Sequence, residues 1–227
     1  MTRPILLRVE AAGGQVERAV AEAISAGFDG IDLLLGSAPF QLDTNASGRV
    51  LAVSYGCESA SIEQEAACIA GILHEAGAIG ARVLNVTIPA LNPAGFARYQ
   101  DALNCSYELI HRLRLEAEAS GVALAIEAPA AGSLRSPVEL REIIDAANSW
   151  AVGACIDCAR ITASGGSPAD WIETLSYRVH AVRASSQPLE NSLGPIPSER
   201  PLITWSSASD RDADLPNGPR GGTLRDR

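Results

Sequence analysis

Apolar positions follow two periods along this chain: short runs in which every or every second position is apolar, and longer stretches in which apolar residues recur every three or four positions. Ile5 to Val9 is a run of the first kind, and Gln15 to Ala26 carries Val16, Val20, Ala23 and Ile24 at helical spacing before stopping at Gly27. Strands are expected next at Gly30 to Leu35 and at Val50 to Tyr55, with a stretch between them, Ser37 to Gly48, that holds no helical pattern. Ser61-Ile62-Glu63-Gln64 has the spacing of a capping box, and Ile62, Ala66, Ile69 and Leu73 carry one helical face down to Gly77. Arg82 to Ile88 reads as a strand, and Asn92-Pro93 opens a long helix that runs to about Ser120 and ends at Gly121. Val122 to Glu127, Val152 to Asp157 and Val179 to Arg183 are further strands, and Leu202 to Trp205 is the eighth. Helices open between them at Ser136-Pro137-Val138-Glu139 and Ser167-Pro168-Ala169-Asp170, where a cap precedes a proline.

Eight strands mostly separated by helices specify parallel pairing, because each parallel connection needs a crossover. The simplest closure is a (β/α)8 TIM barrel; the alternative is an open doubly wound sheet, against which stands the lack of any Gly-x-Gly-x-x-Gly turn after a strand. Pro188, Pro195, Pro197 and Pro201 rule out a regular helix before the last strand, so some outer helices are expected to be shortened or missing. The barrel is expected to occupy residues 1–208, and 209–227, polar and without apolar period, to form a disordered tail.

Inward-facing residues at the carboxyl ends of barrel strands form the mouth where chemistry sits. On Ala123-Leu124-Ala125-Ile126-Glu127 the bulky Leu124 and Ile126 face the helices, so Glu127 points to the axis at the mouth. The same count brings Asp157 inward on its strand, and Arg183 on the next. Asp32 ends a similar pattern, and Asn85 and Thr87 alternate against Leu84, Val86 and Ile88. His74 and His111 fall on the surface of helices, and His180 falls behind its strand as a packing group. Cys155 and Cys158, three apart on a strand, face opposite sides and share neither a metal nor a disulfide.

These stretches, with Ala26-Gly27-Phe28-Asp29-Gly30-Ile31-Asp32-Leu33 and Val152 to Arg160, resemble the xylose isomerase-like TIM barrel family of sugar and sugar-phosphate isomerases and epimerases. The likeness spans roughly residues 5 to 186. It implies a divalent metal held by a Glu, an Asp, a His and a second Glu from the last four strands, with the two Glu residues as acid and base. Glu127 and Asp157 match the first two positions. Arg183 stands where the family has its ligand His, Arg160 stands where it often has a substrate-contacting His, and Leu202-Ile203-Thr204-Trp205-Ser206 offers no carboxylate. A guanidinium has no lone pair to give a metal, so no cofactor is expected beyond, at most, a weakly held divalent ion on Glu127 and Asp157. The expected site is Glu127 as base and Arg183 as electrophile, with Asp157, Arg160, Asp32 and Asn85 binding a small polyol or other sugar-like hydroxy-carbonyl compound. A non-catalytic barrel that binds a small ligand or partner protein at the same mouth is the other reading.

Composition narrows the partners. The 227 residues carry a formal net charge of -9, with no basic cluster, which argues against nucleic acid and membrane surfaces as partners. All 18 basic residues are Arg, so Schiff-base lysine chemistry is excluded. Three histidines are too few for the multi-metal endonucleases that share the fold. The amino terminus reads as neither a signal peptide nor a membrane span, and five scattered cysteines suit reduced thiols; the expectation is a cytoplasmic protein. Barrel surface left bare by missing helices predicts a homo-oligomer, such as a dimer, or another partner there.

Overall fold

The alternation of periods becomes an alternation of strands and helices in the computed structural model, which describes residues 4–10, 15–35, 48–56, 61–87, 98–128, 136–185 and 202–206. The strands are β1 (Ile5–Glu10), β2 (Gly30–Leu35), β3 (Val50–Gly56), β4 (Val83–Thr87), β5 (Ala123–Glu127), β6 (Val152–Asp157), β7 (Val179–Ser185) and β8 (Leu202–Ser206). They pair in chain order, every neighbour parallel, and β8 returns to β1 to close the barrel. The described helices are α1 (Val16–Ser25), α2 (Ile62–Ala78), α3 (Tyr99–Ser120), α4 (Pro137–Ala147), α5 (Cys158–Ala163) and α6 (Pro168–Leu175). Closure removes every sheet edge, so the open-sheet alternative does not apply.

Side-chain size sorts the two faces of the sheet. Leu33, Val53, Leu84, Leu124, Ile126, Ile156 and Val182 point outward and pack with Ile69, Leu73, Ile110, Leu113, Ile143 and Ile172 of the helices in one large core. Each fully buried Leu or Ile stabilises the fold by roughly 1.5–3 kcal/mol. Inside the barrel the residues are small: Ala52, Val83, Ala125, Cys155 and Ala181, with Leu6, form a second cluster. An eight-stranded barrel is only wide enough to be filled by its own side chains. Small residues on the inner layer therefore leave room for long charged ones beside them.

Several helix ends follow the predicted chemistry. Ser136 and Glu139 form the full capping box with Pro137 in the first turn of α4. Ser167 accepts from the Asp170 amide at the start of α6, and Gly121 ends α3 in the left-handed conformation at φ 70°. At α2 the box does not form: the Ser61 side chain makes no cap hydrogen bond and donates instead to Glu63 Oε2 at 2.8 Å. A carboxylate two residues away is a charged acceptor within reach, and it takes the hydroxyl proton. Helix α5 was not anticipated, because six residues are too few for a periodic signal. The Asn92-Pro93 start, Ile88, the tail, and the two stretches expected to lack helices, 37–47 and 187–201, lie outside the described residues.

Candidate active site

The mouth at the carboxyl ends of β5, β6 and β7 holds a cluster of opposite charges. Glu127 is 1% exposed and Arg183 is 3% exposed, so their pairing takes place away from solvent. Arg183 Nη1 donates to Glu127 Oε2, and also to Asp157 Oδ2 at 3.4 Å. Its other amino group, Nη2, donates to the Ser54 hydroxyl at 3.3 Å. Arg160 reaches the other oxygen of Glu127, Nη1 to Oε1 at 2.8 Å, with its side chain one-third exposed. That contact lacks hydrogen-bond alignment, so Oε1 is held by charge alone.

Local structure fixes these positions. Asp157 ends β6 and at once caps α5, its Oδ1 accepting from the Arg160 amide at 2.9 Å. The same carboxylate thus places Arg160 in the first turn of α5 and touches Arg183 with its other oxygen. Pairing of Asp157 with Arg183, and of Glu127 with Cys155 on the intervening strand, sets the three strand tips side by side. Glu127, Asp157 and Arg183 therefore converge as the alternation predicts, and Arg160, expected there from the resemblance, joins them from α5.

Asp32 and Asn85 join the cluster through Ser54. The Ser54 hydroxyl donates to the Asp32 carboxylate, 2.7 Å from Oδ1 and 2.9 Å from Oδ2, and accepts from Asn85 Nδ2 at 3.3 Å as well as from Arg183. Asp32 is fully buried and Asn85 is 2% exposed, so both lie inside the barrel and reach the mouth only through this hydroxyl. Ser54 was missed in the sequence; a polar residue sharing a face with Ala52 in an otherwise apolar strand is the signal. Arg8 was missed too. A lone charge inside the Ile5 to Val9 run, on the same face as inward Leu6, marks it as a barrel residue.

Burial works against the Arg183 charge, but the ionisable groups facing it, Cys155, Glu127, Asp32 and Asp157, more than offset this and hold the guanidinium above its ordinary range. Arg8 is shifted the other way, by burial first and then by repulsion from Arg183. The thiols are poor nucleophiles: burial pushes Cys155 up, and burial with the nearby Asp157 charge pushes Cys158 up to about 12. Cys155 lies in the inner cluster and Cys158 packs against the outer one, on opposite sides as expected. His74 and His111 are exposed. Four more buried polar atoms, Arg8 Nε, Asn85 Oδ1, Arg183 Nε and Thr204 Oγ1, have no hydrogen-bond partner among the described residues.

No family model matches the chain, and no curated protein matches it in sequence. Solved structures do match it. D-allulose 3-epimerase from Methylomonas sp. is 17% identical with a TM-score of 0.70, over 92% of this chain and 86% of that one. L-ribulose 3-epimerase is 17% identical with a TM-score of 0.71, over 94% and 84%. A xylose isomerase-like TIM barrel/4-hydroxyphenylpyruvate dioxygenase fusion protein is 13% identical with a TM-score of 0.65, over 94% of this chain and 40% of that one. The fold is that of the xylose isomerase-like barrels. At such identities the likeness is one of fold, and the chemistry has to be read from the residues of this chain.

On this xylose isomerase-like scaffold the donor set does not fit the four-ligand metal centre that the resemblance implies. Arg183 hydrogen-bonds both carboxylates that would hold the ion, and buried Thr204 faces it from β8 in place of a second Glu. Among the described residues no three His, Cys, Asp or Glu side chains are grouped to bind a metal. No described helix is long and apolar enough to cross a membrane.

Proposed function

We propose that this barrel catalyses isomerase- or epimerase-type proton transfer on a small, sugar-like hydroxy-carbonyl compound, with the Arg183 guanidinium in place of a metal cation. The observation that carries the reading is the buried Glu127–Arg183 pair at the tips of β5 and β7, flanked by an Arg160 that solvent can reach. A substrate carbonyl oxygen competes with Glu127 Oε1 for Arg160, which releases that oxygen as a base. Glu127 then takes the proton from the carbon next to the carbonyl, and the electron pair moves onto the carbonyl oxygen, where Arg160 and Arg183 face the negative charge. The hydroxyl proton passes to the former carbonyl oxygen, and returning the carbon-bound proton to the neighbouring carbon completes an isomerisation with one carboxylate. Of the two reactions, that single-base route favours isomerisation at a site with Thr204 on β8, since inversion at one carbon needs acid and base on two faces.

Three donors (Arg8 Nε, Arg183 Nε and the Thr204 hydroxyl) and one acceptor (Asn85 Oδ1) without partners among the described residues support a ligand rich in hydroxyls, each of which gives and accepts hydrogen bonds. Three guanidinium groups and three carboxylates in the interior balance, so a neutral ligand adds no uncompensated charge.

One observation favours the non-catalytic reading: both Glu127 oxygens are already held by guanidinium groups, which leaves neither free to reach a substrate carbon. Incubating the purified protein with D-allulose, D-fructose or L-ribulose in deuterated water separates the two. Exchange of the carbon-bound hydrogen, followed by NMR and lost in Glu127→Gln, supports catalysis. Calorimetric binding without exchange makes the barrel a binding protein, and neither signal with any of these sugars overturns the substrate class.

A further inference from the structure

We propose that the opposite, amino-terminal end of the barrel carries a second small-molecule site, which takes a flat, uncharged heteroaromatic ring of nucleobase size. A cavity of about 370 Å³ opens there beside the starts of β6 and β7, lined by Asp145, Asn148, Trp150, Tyr177, Arg178 and His180 among others. Trp150 and Tyr177 are 60% and 63% exposed, more than any other large apolar side chain among the described residues. Two aromatic faces left to water at the rim of one concavity are apolar surface that a flat ligand can cover.

The polar lining is already ordered. Arg178 forks onto the Asp145 carboxylate, Nη2 to Oδ2 at 2.9 Å with Nε on Oδ1, and its guanidinium carbon lies 4.3 Å from the centre of the Tyr177 ring. A guanidinium stacked on a tyrosine and locked by a bidentate acid presents a flat platform, and its ordering cost is met before any ligand arrives. Asn148 offers an amide with both donors and an acceptor, the complement of a heterocycle edge.

Backbone irregularity gathers at the same place. The only non-glycine residues with positive φ among those described are Asn148 (48°), which lines the cavity, and Ser176 (53°), which precedes Tyr177. Asparagine tolerates this conformation; serine adopts it at a cost that neighbouring structure must offset. Across β6 and β7, Ala154 pairs with Val179 and Cys155 with Ala181, so His180 is an extra residue in a bulge. Gly153 makes space for it, since a Cβ there would lie 2.5 Å from the His180 ring. This overturns the outward packing role expected of His180: the bulge breaks the alternation and turns the ring to Gly153 and the cavity.

A planar ring stacks on Trp150 or on the Tyr177–Arg178 platform, as bases stack on aromatic and arginine side chains. Charge selects against anions, because Asp145 already neutralises Arg178 and the whole chain carries -9. The cavity's small, concave form fits a single ring system better than a protein surface.

Calorimetric titration of the full-length protein with adenosine, and with adenosine monophosphate as the charged control, tests the site. Saturable adenosine binding with a Kd below about 1 mM is expected, weaker for the monophosphate, and weakened about tenfold or more in Tyr177→Ala with an unchanged melting temperature. Absence of saturable binding up to about 10 mM overturns the proposal. So does binding that Tyr177→Ala and Trp150→Ala leave intact, or a sedimentation result in which these aromatics hold two copies of the chain together.

Discussion

Arg183 is held by three partners on three other strands, Glu127, Asp157 and Ser54, and each of those partners depends on it in return. Removing one member of a buried ion pair leaves the other charge uncompensated, which costs about 3–5 kcal/mol, whereas replacing both members with neutral groups costs far less. Arg183→Met is accordingly expected to lower unfolding stability by about that amount, and the double variant Arg183→Met with Glu127→Gln to recover much of the loss, as read by urea denaturation. Additive single losses in this cycle would mean that the two side chains are not coupled. Glu127, Asp157 and Arg183 were legible because a strand's period of two assigns each a face without reference to anything else. Ser54 was less so, because the period of two places it on the inner face with Ala52 but does not say that its hydroxyl will join three side chains from other strands.

At the scale of elements, the β6–β7 pair shows how one glycine sets local geometry. Any Cβ at Gly153 would lie 2.5 Å from both the Arg178 carbonyl oxygen and the His180 ring, and the first of these is backbone that cannot swing aside. Gly153→Ala is therefore expected to destabilise the protein by about 1–3 kcal/mol, the usual range for overpacking, despite the better strand propensity of alanine. A midpoint of chemical denaturation equal to the parent's would show that the bulge relaxes freely. The helix starts at Ser136 and Ser167 could be read from sequence because a cap and a following proline act within four residues. Helix α5 and the bulge could not: the first is fixed by Asp157 acting as both strand end and cap, the second by the register of a neighbouring strand.

For the whole molecule, the buried thiols tie stability to alkaline pH. Cys155 is raised above its ordinary value near 9 by burial, and Cys158 is pushed up to about 12, so the folded chain keeps protons that the unfolded chain releases. Between about pH 9 and 12 the unfolded state binds fewer protons than the folded one, so stability falls as pH rises; below that window both states are protonated and the effect vanishes. Denaturation at pH 8 and pH 10 should show an alkaline loss that is about 1.4 kcal/mol smaller in Cys155→Ala than in the parent; an identical loss in both would place the effect elsewhere. The sequence by itself determined the eight strands, their parallel pairing, and the inward faces of Glu127, Asp157 and Arg183, because periodicity, caps and the need for crossovers all act over a few residues. Only the tertiary structure decided that Arg183 hydrogen-bonds both mouth carboxylates, that Ser54 links Asp32 and Asn85 to it, and that His180 leaves its expected face. Those outcomes depend on distances between strands that closure of the barrel sets, and no local pattern encodes them.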